Sequence, residues 1–136
     1  MPLFKKLTPN LIVSSVERSL AFYVDVLGFA RGMTVPDQAP FVFASVTSGA
    51  VEIFFNDTAD ALKERPDWSG RVNPSAASSM FVEMDGPGAV DALHDRVGNH
   101  AKIVMPLTTQ WYGTREFAIE DPDGFVMTFA ERIAQR

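Results

Sequence analysis

Apolar residues recur along this chain at two spacings, one typical of helices and one typical of strands. In the N-terminal half an apolar stripe with steps of three and four residues is formed by Val16, Leu20, Tyr23, Val24 and Leu27. Ser14 and Glu17 have the spacing of a capping box at the start of this stripe, and Gly28 stands where a left-handed C-terminal cap is expected. The pattern predicts one amphipathic helix with defined ends.

Short runs rich in β-branched and aromatic residues surround this helix and predict strands. One run precedes the helix and three follow it, at residues 7–13, 29–35, 41–47 and 50–56. The second half has the same order. It has a strand at residues 78–84, a helix that Gly86 and Pro87 open and Gly98 ends, and strands at residues 101–105, 110–120 and 125–133.

The two halves therefore form an internal repeat. Leu27 and Gly28 lie 70 residues before Val97 and Gly98, and the same shift aligns Leu11-Ile12 with Phe81-Val82. A copy of about 65 residues buries too little surface to be stable alone. We therefore expect one α+β domain, residues 1–136, in which two βαβββ modules place their sheets around a shared cavity as a half-barrel.

The expected module boundaries are residues 7–56 and 78–133. Between them, residues 57–77 are polar and contain Pro66, Gly70 and Pro74, which is typical of a short helix followed by a connecting arm.

Residues 121–124, Asp-Pro-Asp-Gly, predict a hairpin turn between the last two strands. Pro122 sets the backbone angle φ for the second position of a type I turn, and Gly124 accepts the positive φ that closes the loop. Asp121 can accept hydrogen bonds from the backbone that follows it.

Composition narrows the classes of protein to which the chain can belong. It has 136 residues, 46% of them hydrophobic, no cysteine and a net charge of −5. No apolar run reaches the roughly 20 residues of a membrane helix, and no long apolar stretch follows residues 1–6, so we expect a cytoplasmic protein. Disulfides, thiolate nucleophiles and cysteine-based metal sites are excluded.

The charge balance does not favour nucleic acid as a partner, because the basic residues are few and scattered. A cationic or neutral small molecule agrees better with this balance, although mild acidity commonly reflects solubility alone.

Two sets of residues resemble the vicinal oxygen chelate superfamily, which includes glyoxalase I, extradiol dioxygenases and the bleomycin resistance proteins. One is residues 18–23 (Arg-Ser-Leu-Ala-Phe-Tyr) with residues 27–29 (Leu-Gly-Phe), and the other is residues 112–117 (Tyr-Gly-Thr-Arg-Glu-Phe) with residues 121–124. The resemblance covers nearly the whole chain and implies the glyoxalase/bleomycin resistance fold.

The resemblance also implies where a divalent metal would be held, on the first and last strands of each module. The matching positions are Thr8, Glu52, Ser78 and Thr128. Three of these carry neutral hydroxyls, which are weak ligands beside imidazole or carboxylate, and a catalytic metal needs about three protein ligands. We therefore expect no metal cofactor unless ligands are recruited from elsewhere.

Other residues offer little for a rebuilt metal site. His94 lies in the second predicted helix and His100 just after it, and period-two alternation places Glu131 on the opposite strand face from Thr128. Helix-capping or exposed positions are the ordinary interpretation of both histidines.

The remaining candidates for ligand contact are aromatic or polar: Glu52, Phe54, Trp68, Trp111, Tyr112 and Thr128. Aromatic faces at a pocket mouth bind flat or cationic groups. Plainer interpretations also exist. Phe54 is then a core residue, and Trp68 is a plug that holds the arm against the body or a second subunit. Three roles are open to Glu52, as ligand anchor, as proton-transfer group or as an exposed residue.

The leading hypothesis is a homodimer that binds a small organic molecule, such as a drug or an aromatic metabolite, without metal, resembling the bleomycin resistance branch. The alternative is an enzyme, a lyase, isomerase or dioxygenase, which uses a rebuilt metal site or Glu52 as general base.

Overall fold

The computed structural model describes residues 2–73 and 77–133, and the chain divides into two compact units, Met1–Val72 and Asn73–Arg136. The boundary falls within the predicted connecting arm, of which residues 74–76 lie outside the described part. Across the described ranges, no helix combines the length and apolar character needed to cross a bilayer.

The first unit has the order strand, helix, strand, strand, strand. Its elements are β1 (Asn10–Val13), α1 (Val16–Leu20) with a π-helical continuation (Ala21–Val26), β2 (Ala30–Val35), β3 (Phe43–Ser48) and β4 (Val51–Asp57). The sheet order is β1-β4-β3-β2, with β1 parallel to β4 and the other neighbours antiparallel. A short helix, α2 (Thr58–Glu64), and a 3-10 turn (Pro66–Trp68) follow β4, so the segment predicted as helix and arm does begin with a helix.

The second unit repeats this order. Its elements are β5 (Met80–Glu83), α3 (Ala89–Val97), β6 (Lys102–Thr109), β7 (Thr114–Glu120) and β8 (Val126–Arg132). The sheet order is β5-β8-β7-β6, again with one parallel pair, β5 and β8. The two βαβββ modules confirm the predicted fold class.

Each helix packs on one face of its own sheet. In the first unit the α1 segment buries Val16 and Tyr23, and the Tyr23 ring lies 4.8 Å from the ring of Phe55 on β4. In the second unit Val90 of α3 is fully buried, and the rings of Phe117 and Phe129 lie 5.3 Å apart beneath the helix. Alternation along each strand therefore leaves every second side chain on the opposite face.

The predicted N-terminal helix is confirmed, although its cap is one residue later than predicted. The Ser15 hydroxyl, not that of Ser14, accepts from the Arg18 amide at 3.2 Å. The Glu17 carboxylate does not close a capping box with Ser14. It accepts from the Phe41 amide, in the loop between β2 and β3, and from the Ser15 hydroxyl at 3.5 Å. At the other end Gly28 has a φ of 87°, and its amide donates to the Val24 carbonyl at 3.2 Å, as a left-handed cap requires.

The turn at residues 121–124 forms as predicted. One carboxylate oxygen of Asp121 accepts from the amides of Asp123 and Phe125, both at 2.9 Å. The Gly124 amide donates to the Asp121 carbonyl, and Gly124 has a φ of 96°. Asp121 is itself buried. Because the turn joins the end of β7 directly to the start of β8, it fixes the register of their pairing.

The long strand predicted at residues 110–120 is wrong at its start. The Gly113 amide donates to the Gln110 carbonyl in a turn, and β7 begins only at Thr114. Trp111 and Tyr112 therefore lie in the turn between β6 and β7. β6 is correspondingly longer than predicted and tolerates Pro106 because it is an edge strand.

The proposed repeat register of 70 residues also fails in detail. It aligns Leu11 with Phe81, yet Leu11 is buried beneath α1 and Phe81 is 60% exposed. Leu11 pairs with the buried Phe55 on the helix side of the first sheet. Phe81 pairs with Thr128 on the side of the second sheet that faces away from its helix. The modules share an order of elements, but their first strands are out of phase by an odd number of residues.

The start of α3 depends on a side chain from a distant strand. The Glu131 carboxylate on β8 accepts from the Gly88 amide at 2.9 Å and from the Val90 amide at 2.7 Å. It thereby satisfies two amides that a helix start leaves unpaired, where Gly88 has no capping side chain. Glu131 lies on the helix side of β8, opposite Thr128, as alternation predicted.

A partly exposed ion pair lies beside this helix start. The Arg115 guanidinium donates to both carboxylate oxygens of Asp91, at 3.0–3.1 Å. This contact lowers the pKa of Asp91 below its ordinary value.

Candidate functional site

Each sheet has a face turned away from its helix, which we call its distal face, and the predicted contact residues Glu52, Phe54 and Thr128 lie on these faces. In the first unit the distal face carries Asn10, Phe43, Glu52, Phe54 and Asn56. Two contacts across it show the shared orientation. The rings of Phe43 and Phe54 lie 5.2 Å apart, and the Asn56 amide group donates to the side-chain oxygen of Asn10.

Glu52 is paired with a lysine from the segment that precedes β1. The Nζ of Lys6 lies 2.6 Å from Oε1 of Glu52, and the two side chains are 48% and 26% exposed. Glu52 is two residues from Phe54 on β4 and therefore shares its face. The distal face therefore combines an aromatic pair with a carboxylate whose present partner is an ammonium group.

The second unit's distal face carries small side chains on its two central strands, β7 and β8. Thr128 pairs with Ala118 across the β7–β8 ladder, and Ala130 pairs with Glu116. On β5, the other strand next to β8, Phe81 pairs with Thr128. Alternation along β8 puts Val126, Thr128 and Ala130 on this face, and the buried Met127 and Phe129 lie on the helix side.

Glu116 is the buried carboxylate of this face, with an exposure of 3%. It accepts from the Tyr112 hydroxyl at 2.9 Å and from the Thr114 hydroxyl at 2.6 Å. The hydrogen bond to Glu116 raises the pKa of the Tyr112 phenol above its ordinary value. This hydrogen bond holds the Tyr112 side chain against the distal face, although the residue itself lies in the β6–β7 turn.

The two tryptophans lie away from the centres of these faces. Trp111 is 92% exposed at the tip of the β6–β7 turn, and its ring meets that of Tyr112 edge-on at 5.3 Å. Trp68 closes the 3-10 turn after α2, where the guanidinium of Arg65 lies 4.9 Å from the centre of its ring. The structure thus joins Glu52 with Phe54 and Trp111 with Tyr112, each pair within one unit.

The positions implied as metal ligands do not supply a suitable set of donors. Within residues 2–73 and 77–133 no group of three or more His, Asp or Glu side chains is arranged to hold a metal ion. The β1–β4 register, continued backwards from Asn10 and Phe54, places Thr8 beside Glu52. A hydroxyl and a carboxylate already paired with Lys6 do not fit a divalent transition metal.

In the second unit Ser78 does not lie beside Thr128. Ser78 is exposed and precedes β5, which begins at Met80, and the neighbour of Thr128 on β5 is Phe81. A phenyl ring therefore stands where the spacing suggested a hydroxyl. The histidines do not replace it: the His94 ring packs edge-on against Phe117 on the helix side, 5.1 Å away, and His100 is exposed after α3.

The sequence analysis missed several residues of these faces, among them Lys6, Phe43 and Glu116. Glu116 had a usable signal, because counting back along β7 and β8 from the turn at residues 121–124 places it opposite Ala130. Phe43 could be assigned only once the pairing of β3 with β4 was known. Lys6 lies outside every helix and strand, so periodicity gives no information about it.

Comparisons with known proteins agree with this fold. A sequence profile described as the Glyoxalase/Bleomycin resistance protein/Dioxygenase superfamily matches residues 7–129. A bleomycin resistance protein of Geobacillus stearothermophilus is 26% identical over 141 residues, which cover 92% of this chain and 95% of the relative.

Solved structures give the same result for the fold. A glyoxalase/bleomycin resistance protein/dioxygenase family enzyme from Burkholderia phytofirmans PsJN superposes with a TM-score of 0.75 at 19% identity, over 93% of this chain and 97% of the other. TioX from Micromonospora sp. ML1 superposes with a TM-score of 0.71 at 18% identity, over 96% of this chain and all of the other.

Proposed function

Because the chain belongs to the glyoxalase/bleomycin resistance protein/dioxygenase superfamily, we propose that it binds a small organic molecule on the distal face of its first unit, without a metal ion. The observation that carries this proposal is the environment of Glu52. At a position where the family resemblance implies a metal ligand, its carboxylate is paired with Lys6 and lies beside an aromatic pair. These are groups that recognise an organic ligand by charge and by stacking.

The distal face of the second unit supports the same function. The half-buried Thr128 lies next to the small, buried side chain of Ala118, and the same face carries the buried Ala130, the buried carboxylate of Glu116 and the exposed ring of Phe81. An apolar surface with few fixed polar groups is typical of small-molecule sites. The similarity to bleomycin resistance proteins makes a drug of that kind the first ligand to test.

The binding proposal is tested by calorimetric titration with metal-free bleomycin. We expect saturable binding that is unchanged after the protein has been dialysed against a chelator, because the residues that carry it are aromatic rings and carboxylates. Elemental analysis of protein purified without chelators or added metal should find no stoichiometric transition metal. One tightly held metal ion per chain, with affinity lost on chelation, would contradict the proposal and favour the lyase, isomerase or dioxygenase alternative.

We also propose that the protein is a homodimer. Trp111 is 92% exposed and Met33 is 65% exposed in the single chain, which is unfavourable for large apolar side chains unless a second copy covers them. Sedimentation equilibrium should give a mass of about twice 15.0 kDa. A monomer mass at protein concentrations of about 100 μM, where even a weak dimer would form, would rule this out.

A further inference from the structure

We propose that the ligand of the first unit's distal face carries a cationic group next to an apolar body, and that Lys6 occupies the place of that cation in the free protein. This inference rests on the proposed binding function and adds the charge class of the ligand.

The geometry around Glu52 points to a cation. The carboxylate already holds an ammonium group at 2.6 Å, so the site accepts a cationic nitrogen at hydrogen-bonding distance. Phe54 stands two residues along the same strand, with Phe43 packed against it at 5.2 Å. A carboxylate beside aromatic rings offers an organic cation both an ion pair and a ring surface for its apolar part.

The segment that carries Lys6 is suited to displacement. Residues 2–9 contain no helix or strand, and the large side chains of Leu3, Phe4 and Leu7 are at least 90% exposed. Apolar packing therefore does not hold these side chains against the sheet. The chain joins the sheet after this segment. The Phe54 amide donates to the Pro9 carbonyl at 2.9 Å, and β1 begins at Asn10.

The energetics permit exchange. Both members of the Lys6–Glu52 pair are partly exposed, and such pairs shift an equilibrium by only up to about fivefold. A ligand cation that replaces Lys6 recovers the interaction with Glu52 and gains contact with Phe54. Lys6 consequently acts as a weak internal competitor of the ligand's cationic group for the Glu52 carboxylate.

The test uses two probes of nearly equal size, phenethylamine, which is protonated at pH 7, and neutral 2-phenylethanol. Their affinities are measured by titration of the ¹⁵N-labelled full chain, following the amides of β4. We expect phenethylammonium to bind more tightly than 2-phenylethanol. Lys6→Met should increase the affinity for phenethylammonium by about two- to fivefold, the range expected for an exposed ion pair, and leave that for 2-phenylethanol nearly unchanged.

Lys5→Met is the matched control, because it removes the same charge from the neighbouring, exposed residue. It should change the affinity for phenethylammonium much less than Lys6→Met does. Glu52→Gln should reduce that affinity, and in the Glu52→Gln background Lys6→Met should have no effect, since the competition acts through the carboxylate.

Three results would overturn the inference: equal binding of the two probes, equal effects of the two lysine substitutions, or weaker cation binding in Lys6→Met. Each leaves the proposed function standing if 2-phenylethanol or metal-free bleomycin still binds. Failure of bleomycin and both probes to bind would instead contradict the proposed function itself.

Discussion

Phe55→Ala should lower the free energy of unfolding by about 3–5 kcal/mol, the usual cost of deleting a fully buried phenyl ring. Phe55 has no exposed surface and packs against Tyr23 of the helical segment that follows α1. The lost contacts and the cavity left behind both contribute to the loss. Chemical denaturation followed by far-UV circular dichroism, at a fixed protein concentration, measures the effect.

Phe54→Ala, one residue earlier on the same strand, is the matched control. Its ring is only partly buried, on the distal face, where it meets Phe43. We expect a stability change of about 1 kcal/mol or less, together with a loss of affinity for metal-free bleomycin of about two- to tenfold from the missing aromatic contact. If Phe54→Ala destabilised the protein as strongly as Phe55→Ala and left binding intact, Phe54 would be a core residue.

Glu131→Ala should destabilise the protein by about 2–4 kcal/mol, because two charge-assisted hydrogen bonds are lost and two amides are left without a partner. The carboxylate is 6% exposed and reaches the amides of Gly88 and Val90 at the start of α3. Hydrogen exchange should show that the Val90 amide loses most of its protection. Denaturation midpoints give the accompanying loss of stability.

Two further variants define the cause. Glu131→Gln keeps one carbonyl acceptor but turns an amino group towards a donor, so it should lie between wild type and Glu131→Ala. Glu83→Ala removes an exposed glutamate from the neighbouring strand β5 and should change stability by about 0.5 kcal/mol at most. An unaltered Val90 exchange rate in Glu131→Ala would show that this carboxylate does not support the helix start.

The distal faces could be predicted only in part. That Glu52 and Phe54 share one face is predictable, because alternation along a single strand is a local property. The residue beside Thr128 is not, since it depends on the parallel pairing of β5 with β8, which brings together residues 47 positions apart, Phe81 and Thr128. A one-residue error in such a register exchanges the two faces of a strand.

The sequence by itself determined the order of elements, the end of the first helix at Gly28, the turn at residues 121–124 and the family, because each depends on residues close together in the chain. Only the tertiary structure decided that Lys6 pairs with Glu52, that Glu131 supports α3 and that Glu116 is buried. These contacts join residues 46, 41–43 and 2–4 positions apart. The first two depend on which strands pair across the sheet. The environment of Glu116 depends on Tyr112, which lies in a turn and not in the strand predicted for it.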